Sequence, residues 1–221
     1  PLVAAHYLQK FKGGSGVLVT GASGVKAGKI VVLGAGVVGT NAARVAERLG
    51  MDTVVLNKGM ERLRQIDELF RGRVTTLPLT RQTIEEEISD ADIIVGAILV
   101  PGGRTPVFIT RDMLKTMRKG SVIVDVSVDQ GGCVETTKPT THDEPVYEVD
   151  GIIHYAVSNM PGAYPRTSTL ALTNATLPYV KLLANTGIEK AIETDRSVRT
   201  SMNTYQGKIT NSALAEAMEE R

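Results

Sequence analysis

Short apolar runs alternate with amphipathic stretches along most of the chain, and this alternation predicts repeated βα units. The apolar runs are continuous and rich in β-branched residues, which suits strands covered by helices on both faces. Predicted strands are residues 29–34, 52–57, 73–78, 92–97, 121–126 and 152–157. Helical spacing predicts helices at 37–49, 60–70, 83–89 and 110–117. The pattern therefore predicts an α/β fold with a doubly wound parallel sheet and right-handed crossovers.

After Arg166 the spacing of the apolar residues becomes helical. Gly187 is the expected stop of this helical stretch, and Pro178 is expected to start or kink a helix. The tail as far as Arg221 is predicted to be helical and polar. We therefore predict a sheet domain over residues 1–166 and carboxyl-terminal helices over 167–221 that belong to a second, incomplete domain.

Composition narrows the class of protein. The 221 residues are 42% hydrophobic and 22% charged, as in ordinary globular proteins. A net charge of +1 with dispersed basic residues argues against nucleic acid as a partner. No apolar run approaches the ~18 residues of a membrane span, no signal peptide is visible, and the single Cys133 suits a reducing cytoplasm. Because the chain starts at Pro1 in what resembles the end of a helix, we expect it to be the carboxyl-terminal part of a longer protein.

Three glycines form a G-x-G-x-x-G motif between the first predicted strand and its helix. Gly34 permits a tight turn, Gly36 lets the backbone approach a pyrophosphate, and Gly39 allows close packing of helix on strand. The N–H groups at Val37 and Val38, in the first helical turn, would face the phosphates. The motif in this context predicts dinucleotide binding on a Rossmann fold, and the alternative is a purely structural turn.

The end of the second predicted strand departs from the usual dinucleotide pattern. Asn57 stands 18 residues after Gly39, where an acidic residue would accept hydrogen bonds from the adenosine ribose. Lys58 and Arg62 follow and could attract the 2′-phosphate of NADP, or they could merely solvate a helix face. We therefore predict NAD as the cofactor, with NADP as an open alternative.

Further candidate residues follow the other predicted strands, because ligands of open parallel sheets lie beyond the carboxyl ends of the strands. Leu99 follows the fourth strand, and Val126 ends the fifth. Asn159 and Met160 follow the sixth. The alternative for the first of these segments is a plain Pro-Gly turn at residues 101–103.

The loop after the fifth predicted strand is the place where chemistry is expected. Asp125 lies within the apolar run, whereas Asp129 follows it and could hold an ammonium group or orient a histidine. The alternative for Asp129 is an ordinary loop carboxylate. We interpret Cys133 as an inert small side chain, since no base accompanies it, and His142 and His154 as structural, since they lack metal-ligand spacing. No metal site is predicted.

Three strings of the sequence, in order between about Gly13 and Gly187, resemble the L-alanine dehydrogenase family: LGAGVVGTNAA, GSVIVDVSVDQGGCVETT and PTTHDEPVYEVDGIIHYAVSNMPGAYPRTSTLALTNATLPY. The resemblance implies reversible conversion of L-alanine, water and NAD to pyruvate, ammonia and NADH by a homohexamer. It implies that Asp129 is the catalytic aspartate and that Asn159 and Met160 lie close to nicotinamide and substrate. Asn57 stands where the family usually has an aspartate, and Arg62 matches a basic position near the adenosine.

The resemblance also implies what a longer protein would contain. The family's catalytic histidine, and the lysine and arginine that hold the substrate carboxylate, belong to a preceding segment. We therefore expect the nucleotide-binding part of an alanine dehydrogenase, with L-alanine or pyruvate as the small-molecule partner, and no turnover by this chain alone. The alternatives are a module that only binds NAD(H), and a transhydrogenase or saccharopine-type dehydrogenase relative.

Overall fold

A seven-stranded sheet forms the centre of the computed structural model, which describes residues 1–100 and 103–219. The strands are β1 (Lys29–Leu33), β2 (Asp52–Asn57), β3 (Thr75–Pro78), β4 (Ile93–Gly96), β5 (Val122–Asp125), β6 (Val146–Val149) and β7 (Ile152–Tyr155). Their order across the sheet is β3-β2-β1-β4-β5-β7-β6. The chain thus runs outwards from β1 to β3 and then returns to place β4 on the other side of β1.

The parallel part of the sheet confirms the predicted α/β fold. Strands β1 to β5 and β7 pair in parallel, and each falls within a predicted run. The carboxyl ends of the central strands are level, since Leu33 pairs with Leu56 on one side and with Gly96 on the other. The strand order reverses at β1, and the carboxyl edge of the sheet at such a reversal is the usual ligand position in open α/β sheets.

The antiparallel strand β6 at one edge of the sheet was not predicted. It pairs with β7, and Tyr147 lies opposite His154. No residue of this strand is fully buried, and Glu148 is exposed, as expected for a partly solvated edge strand. A search for continuous apolar runs cannot detect a strand of this kind.

Nine α-helices are present among the described residues. They are α1 (Leu2–Tyr7), α2 (Val37–Arg48), α3 (Met60–Phe70), α4 (Arg81–Ile88), α5 (Arg111–Leu114), α6 (Pro165–Thr186), α7 (Ile188–Thr194), α8 (Arg196–Ser201) and α9 (Ser212–Glu219). Helix α4 begins earlier than predicted because Thr80 caps it in a box with Thr83. Helix α5 ends at Leu114, well before the predicted end at Met117, although Met113, Leu114 and Met117 are all buried as one face.

The chain divides into two compact units. The first comprises Pro1–Leu99 and Thr105–Ser158, and the second comprises Val100–Arg104 and Asn159–Arg221. The core of the first unit consists of side chains from the sheet and the helices packed on it, with Val31, Leu33 and Ile123 at its centre. Pro101 and Gly102, which belong to the predicted turn at 101–103, lie outside the described residues.

The second unit is built around α6. This helix begins at Pro165 and continues through Pro178. Of the two expected roles of Pro178, a helix start is therefore wrong, and a kink stays a prediction. Helix α6 ends before Gly187, as predicted. The tail contains a hairpin that was not predicted, β8 (Thr204–Tyr205) with β9 (Lys208–Ile209). No helix in the described part of the chain is both long and apolar enough to cross a membrane.

Candidate functional site

The glycine-rich turn between β1 and α2 has a different steric reason for each glycine. Gly34 has φ +103°, and a Cβ there would lie 2.6 Å from the carbonyl oxygen of Ala97. A Cβ on Gly39 would overlap the carbonyl oxygen of Gly34. A Cβ on Gly36 would meet no atom within 4 Å, and the φ of Gly36 is −74°. Folding therefore requires Gly34 and Gly39, whereas Gly36 keeps the space in front of the turn open.

The amino-terminal end of α2 faces that open space. Gly36 is its N-cap, and no side chain of the described residues caps the helix. Val37 is 81% exposed and Val38 46% exposed, although both are large and apolar. Free N–H groups and the helix dipole make such an end favourable for an anion. The open turn and the helix end together fit the pyrophosphate of a dinucleotide.

Asn57 joins the glycine-rich turn to the turn after β2. Its Oδ1 accepts a hydrogen bond from the backbone N–H of Ala35 at 3.1 Å, and its Nδ2 donates to the carbonyl oxygen of Gly59 at 3.0 Å. A carboxylate could accept the first bond but could not donate the second. The amide therefore suits this position in a way that an aspartate would not.

The two basic residues after β2 are exposed and contact other groups. The Nζ of Lys58 lies 5.3 Å from the ring centroid of Phe108. Arg62 donates from Nη1 to Oε1 of Gln65 on the same helix at 2.9 Å. Both side chains lie on the surface of the first unit. Surface contacts of this kind are weak, so both side chains can reorient towards a ligand.

The loop after β5 starts at the same edge of the sheet. The backbone N–H of Val126 donates to the carbonyl oxygen of Gly96 at 2.8 Å, which joins the ends of β4 and β5. Residues Val128–Gln130 form a 3₁₀ turn in which Asp129 is exposed. Gly131 ends this turn in the left-handed region with φ +95°. The loop thus presents the carboxylate of Asp129 to solvent beyond the carboxyl end of the sheet.

Beneath this loop lies a cluster around the carboxylate of Asp125, to which the sequence assigned no role. Asp125 is 1% exposed. It accepts hydrogen bonds from the backbone N–H of Ser127 at 3.0 Å, the backbone N–H of Cys133 at 2.9 Å and the hydroxyl of Thr137 at 2.6 Å. The one signal available in the sequence was an aspartate at the end of an otherwise apolar run.

Cys133 and the two histidines have the environments of structural residues. Burial raises the pKa of the Cys133 thiol well above its usual value, and the negative charge of Asp125 adds to the effect. His154 is buried, and burial lowers its pKa. Since the carbonyl of Ile152 can only accept, Nδ1 of His154 donates to it at 3.0 Å, and Nε2 accepts from the hydroxyl of Thr136 at 2.8 Å. His142 lies on the surface.

The remaining predicted residues fall in different units. Leu99 is 72% exposed at the end of the first unit's β4 segment. Asn159 and Met160 belong to the second unit, where Asn159 has φ +53° and precedes a 3₁₀ turn over Met160–Ala163. In that unit Asn159 lines a cavity of about 650 Å³ together with Pro161, Gly162, Pro165, Ser168, Thr169, Ala171 and Leu172. No group of three His, Cys, Asp or Glu residues in the described ranges could hold a metal ion.

Comparisons with known proteins agree with this geometry. The family model described as "Alanine dehydrogenase/PNT, C-terminal domain" matches residues 1–212. The chain is 52% identical over 213 residues to an alanine dehydrogenase of Halomonas elongata, covering 96% of the chain and 57% of that protein. It is 50% identical over 218 residues to alanine dehydrogenase 2 of Staphylococcus aureus, covering 98% of the chain and 59% of that protein.

The same likeness extends to three dimensions. A solved structure of an L-alanine dehydrogenase superposes with a TM-score of 0.88 at 46% sequence identity, covering 99% of the chain and 60% of that protein. The chain thus spans somewhat less than two thirds of the length of the relatives it matches.

Proposed function

Because the chain belongs to the alanine dehydrogenase/PNT C-terminal domain family, we propose that it is the nucleotide-binding part of an NAD-dependent alanine dehydrogenase. The observation that carries the proposal is the open amino-terminal end of α2. There Val37 and Val38 are exposed, and a side chain on Gly36 would meet no neighbouring atom. The 50–52% identity to alanine dehydrogenases favours this activity over that of a transhydrogenase or saccharopine-type relative.

The predicted residues of the glycine-rich turn and of the strand ends take the following roles in this proposal. The backbone from Gly34 to Gly39, including Val37 and Val38, holds the pyrophosphate, and Asn57 bonds the adenosine ribose. Leu99 and Val126 flank the cofactor beyond the ends of β4 and β5. By family resemblance, Asn159 and Met160 lie close to nicotinamide and substrate. The bound dinucleotide supplies the hydride acceptor.

Asp129 is the proposed catalytic residue of this chain. Its exposed carboxylate stabilises the positive charge on the substrate nitrogen and helps to orient the water that completes deamination. By family resemblance, the histidine that shares this task, and the lysine and arginine that hold the substrate carboxylate, belong to a segment that precedes the residues matched here.

Finer properties follow from the same resemblance. NAD is the proposed cofactor, with NADP as the alternative because Asn57 adds no charge that would repel a 2′-phosphate. The whole protein is proposed to be a cytoplasmic homohexamer that acts on L-alanine and pyruvate. Residues 1–166 would form its dinucleotide-binding domain, and the helices of 167–221 would belong to its substrate domain.

Titration of the 221-residue chain with NADH, followed by fluorescence, tests cofactor binding directly. We expect saturable binding by the chain, with negligible alanine-dependent reduction of NAD. The longer protein that carries this chain should reduce NAD in the presence of L-alanine. Absence of NADH binding would refute the proposed function, and binding without turnover by the longer protein would favour a module that only binds NAD(H).

Replacing Asp129 with asparagine tests the proposed catalytic role. In the full-length protein, Asp129→Asn should lower turnover by a factor of about 100 to 1,000, because removing one positioned group near a developing charge costs ~2.7–4 kcal/mol. The dissociation constant for NADH should stay unchanged, since the exposed Asp129 does not support the cofactor turn. Equal turnover in parent and variant would make Asp129 an ordinary loop carboxylate.

A further inference from the structure

The buried carboxylate of Asp125 has no part in the reaction described above. It forms no ion pair with any lysine, arginine or histidine of the described residues. Burying a carboxylate away from a cation is costly unless hydrogen-bond donors replace its lost water. Asp125 is buried in this way at the carboxyl end of β5, directly before the loop that carries Asp129.

The donors to Asp125 come from both ends of this loop. Oδ1 accepts from the backbone N–H of Ser127, two residues along the chain, and Oδ2 accepts from the backbone N–H of Cys133, eight residues along. The hydroxyl of Thr137 adds a third bond to Oδ2. The carboxylate therefore closes residues 127–133 into a ring that contains Asp129. The backbone N–H of Gly132, which donates to the carbonyl oxygen of Ser127 at 3.0 Å, supports the same ring.

Two glycines make room for the carboxylate and leave it little freedom to move. A Cβ on Gly96 would come within 2.9 Å of Oδ1 of Asp125 and would overlap the sulfur of Cys133. A Cβ on Gly132 would come within 2.8 Å of Oδ2 of Asp125 and 2.6 Å of Cγ2 of Thr137. Both contacts are closer than real side chains allow. The cluster therefore has one tightly packed arrangement.

The ring is also fastened to the segment after β4. The hydroxyl of Ser127 donates to the carbonyl oxygen of Ile98 at 2.8 Å, and the backbone N–H of Val126 donates to Gly96. The loop that presents Asp129 and the segment that leads to Leu99 are therefore fixed to each other through Ser127. A shift at Asp125 would move both sides of this edge of the sheet.

We propose that Asp125 is a positioning residue: its carboxylate holds the loop at 127–133 in the one conformation that directs Asp129 towards the substrate. The proposal rests on the proposed function, because that function assigns the chemistry to Asp129. Asp125 contacts no reacting atom, so its effect on turnover passes through the geometry of the loop. A loop misplacement of about 1 Å can lower a rate by about a hundredfold.

Asparagine at this position would not preserve the ring. Every group that bonds to Asp125 presents a hydrogen atom, whereas an amide has only one acceptor oxygen. Either orientation of the amide sets its NH₂ group against a backbone N–H that in the parent donates to the carboxylate. Asp125→Asn should therefore open the loop although it barely changes the volume of the side chain.

The chain contains one cysteine, and its position makes it a probe of the loop. Cys133 is fully buried, and its N–H and thiol both contact Asp125. We expect Asp125→Asn to raise the rate at which a thiol reagent labels Cys133 in the native protein by about tenfold or more, because labelling requires local opening. Asp92→Asn is the matched control, since Asp92 is also buried and lies beside the opposite end of β4. It should leave labelling and turnover at the parent values.

Turnover distinguishes positioning from general support of the fold. In the full-length protein, Asp125→Asn should lower kcat by about a hundredfold and change the KM for NAD far less, because Asp129 lies inside the ring and the glycine-rich turn proposed for the pyrophosphate lies outside it. Thr137→Val removes a single donor and should have the same effects to a smaller degree, and Thr137→Ser, which keeps the hydroxyl, should restore parent values. If Asp125→Asn fails to fold, the Thr137 pair decides the question.

Three results would overturn the proposal: unchanged labelling of Cys133, a faster labelling rate with unchanged kcat, or an equal loss of cofactor affinity and turnover. A full-length parent without alanine-dependent turnover would refute the proposed function instead. The labelling rates of the variants would then still decide whether Asp125 holds the loop, because they require neither cofactor nor substrate.

Discussion

At the scale of single residues, Asn57 is the residue proposed to set the choice between NAD and NADP. Its side-chain oxygen accepts a hydrogen bond from the backbone N–H of Ala35, and its NH₂ group donates one to the carbonyl oxygen of Gly59. We expect Asn57→Asp to raise the Kd for NADPH by about tenfold or more, since like charges at about 4 Å near a protein surface repel by ~1–4 kcal/mol. The Kd for NADH should change far less, so the variant should bind NADH much more tightly than NADPH.

The control for this change is Asn57→Ala, which removes both hydrogen bonds and introduces no charge. Dissociation constants for NADH and NADPH, measured by fluorescence at low and moderate salt, separate the two effects, because only the charge effect is screened by salt. An equal loss of NADPH affinity in Asn57→Ala would mean that the hydrogen bonds, and not the charge, set the preference.

Residues differ in how much of their role the sequence reveals. Gly34 and Gly39 were predictable, because their spacing between a strand and a helix corresponds to one known turn. Asp125 was not, because its partners Cys133 and Thr137 come from a loop whose path depends on the whole sheet. The spacing of residues in the sequence indicates local geometry only. Cys133 and Thr137 lie eight and twelve residues after Asp125, so the spacing does not reveal that they donate to its carboxylate.

At the scale of secondary structure elements, the packing of α2 on β1 gives two glycines of the motif, Gly36 and Gly39, different roles. Gly39→Ala gains ~1 kcal/mol of helix propensity, but its Cβ would overlap Gly34, so we expect a net loss of about 2 kcal/mol or more in the free energy of unfolding. Gly36→Ala adds a Cβ to open space and should cost about 1 kcal/mol or less, as the loss of a good N-cap.

Stability and cofactor binding should respond differently in Gly36→Ala, which should lose little stability but much of its affinity for NADH. Gly36→Ala should remain folded and lose most of its affinity for NADH, because the methyl group fills the space proposed for the pyrophosphate. Denaturant unfolding and NADH titration of both proteins check this pair. If Gly36→Ala bound NADH like the parent, the open space at α2 would not be the phosphate site.

Elements were predictable where their pattern was long and buried. Helix α3 has the predicted bounds, and the parallel strands lie within the predicted runs, because continuous burial leaves a strong apolar signal. Strand β6 and the β8–β9 hairpin were missed because they are short and partly solvated. Gln206 and Gly207, both with positive φ, form the turn of that hairpin, and a Gln-Gly pair is a weaker signal than Asn-Gly.

At the scale of the whole molecule, apolar side chains are distributed unevenly. The first unit buries a continuous core, whereas α6 has no buried residue and leaves Leu170, Leu172 and Val180 more than half exposed. A helix that is apolar on most sides is normally covered in a stable protein. The stability of the chain is therefore concentrated in the sheet, and the buried groups of the sheet set its response to pH.

His154 contributes to that response near neutral pH, as does the amino group of Pro1, because burial lowers the pKa of both groups. His154 packs in β7 against the ring of Tyr147 at a centroid distance of 5.0 Å, and burial lowers its pKa from the usual 6.5. Below about pH 6.5 the unfolded chain takes up a proton on this histidine that the folded chain does not accept, so the free energy of unfolding falls as the pH drops. Above that pH both states carry neutral His154, and this residue contributes no pH dependence.

Denaturant unfolding at pH 7.5 and pH 5.5 measures the effect. The carboxyl of Asp150, whose pKa is lowered by its hydrogen bond from Arg111, titrates below its usual value of 3.8 and so contributes only in more acidic solution. We expect the parent to lose stability between the two pH values. His154→Gln should be less stable than the parent at pH 7.5, because it loses the ring contact with Tyr147, but should lose less between pH 7.5 and 5.5. An equal loss in both proteins would assign the pH dependence to other groups.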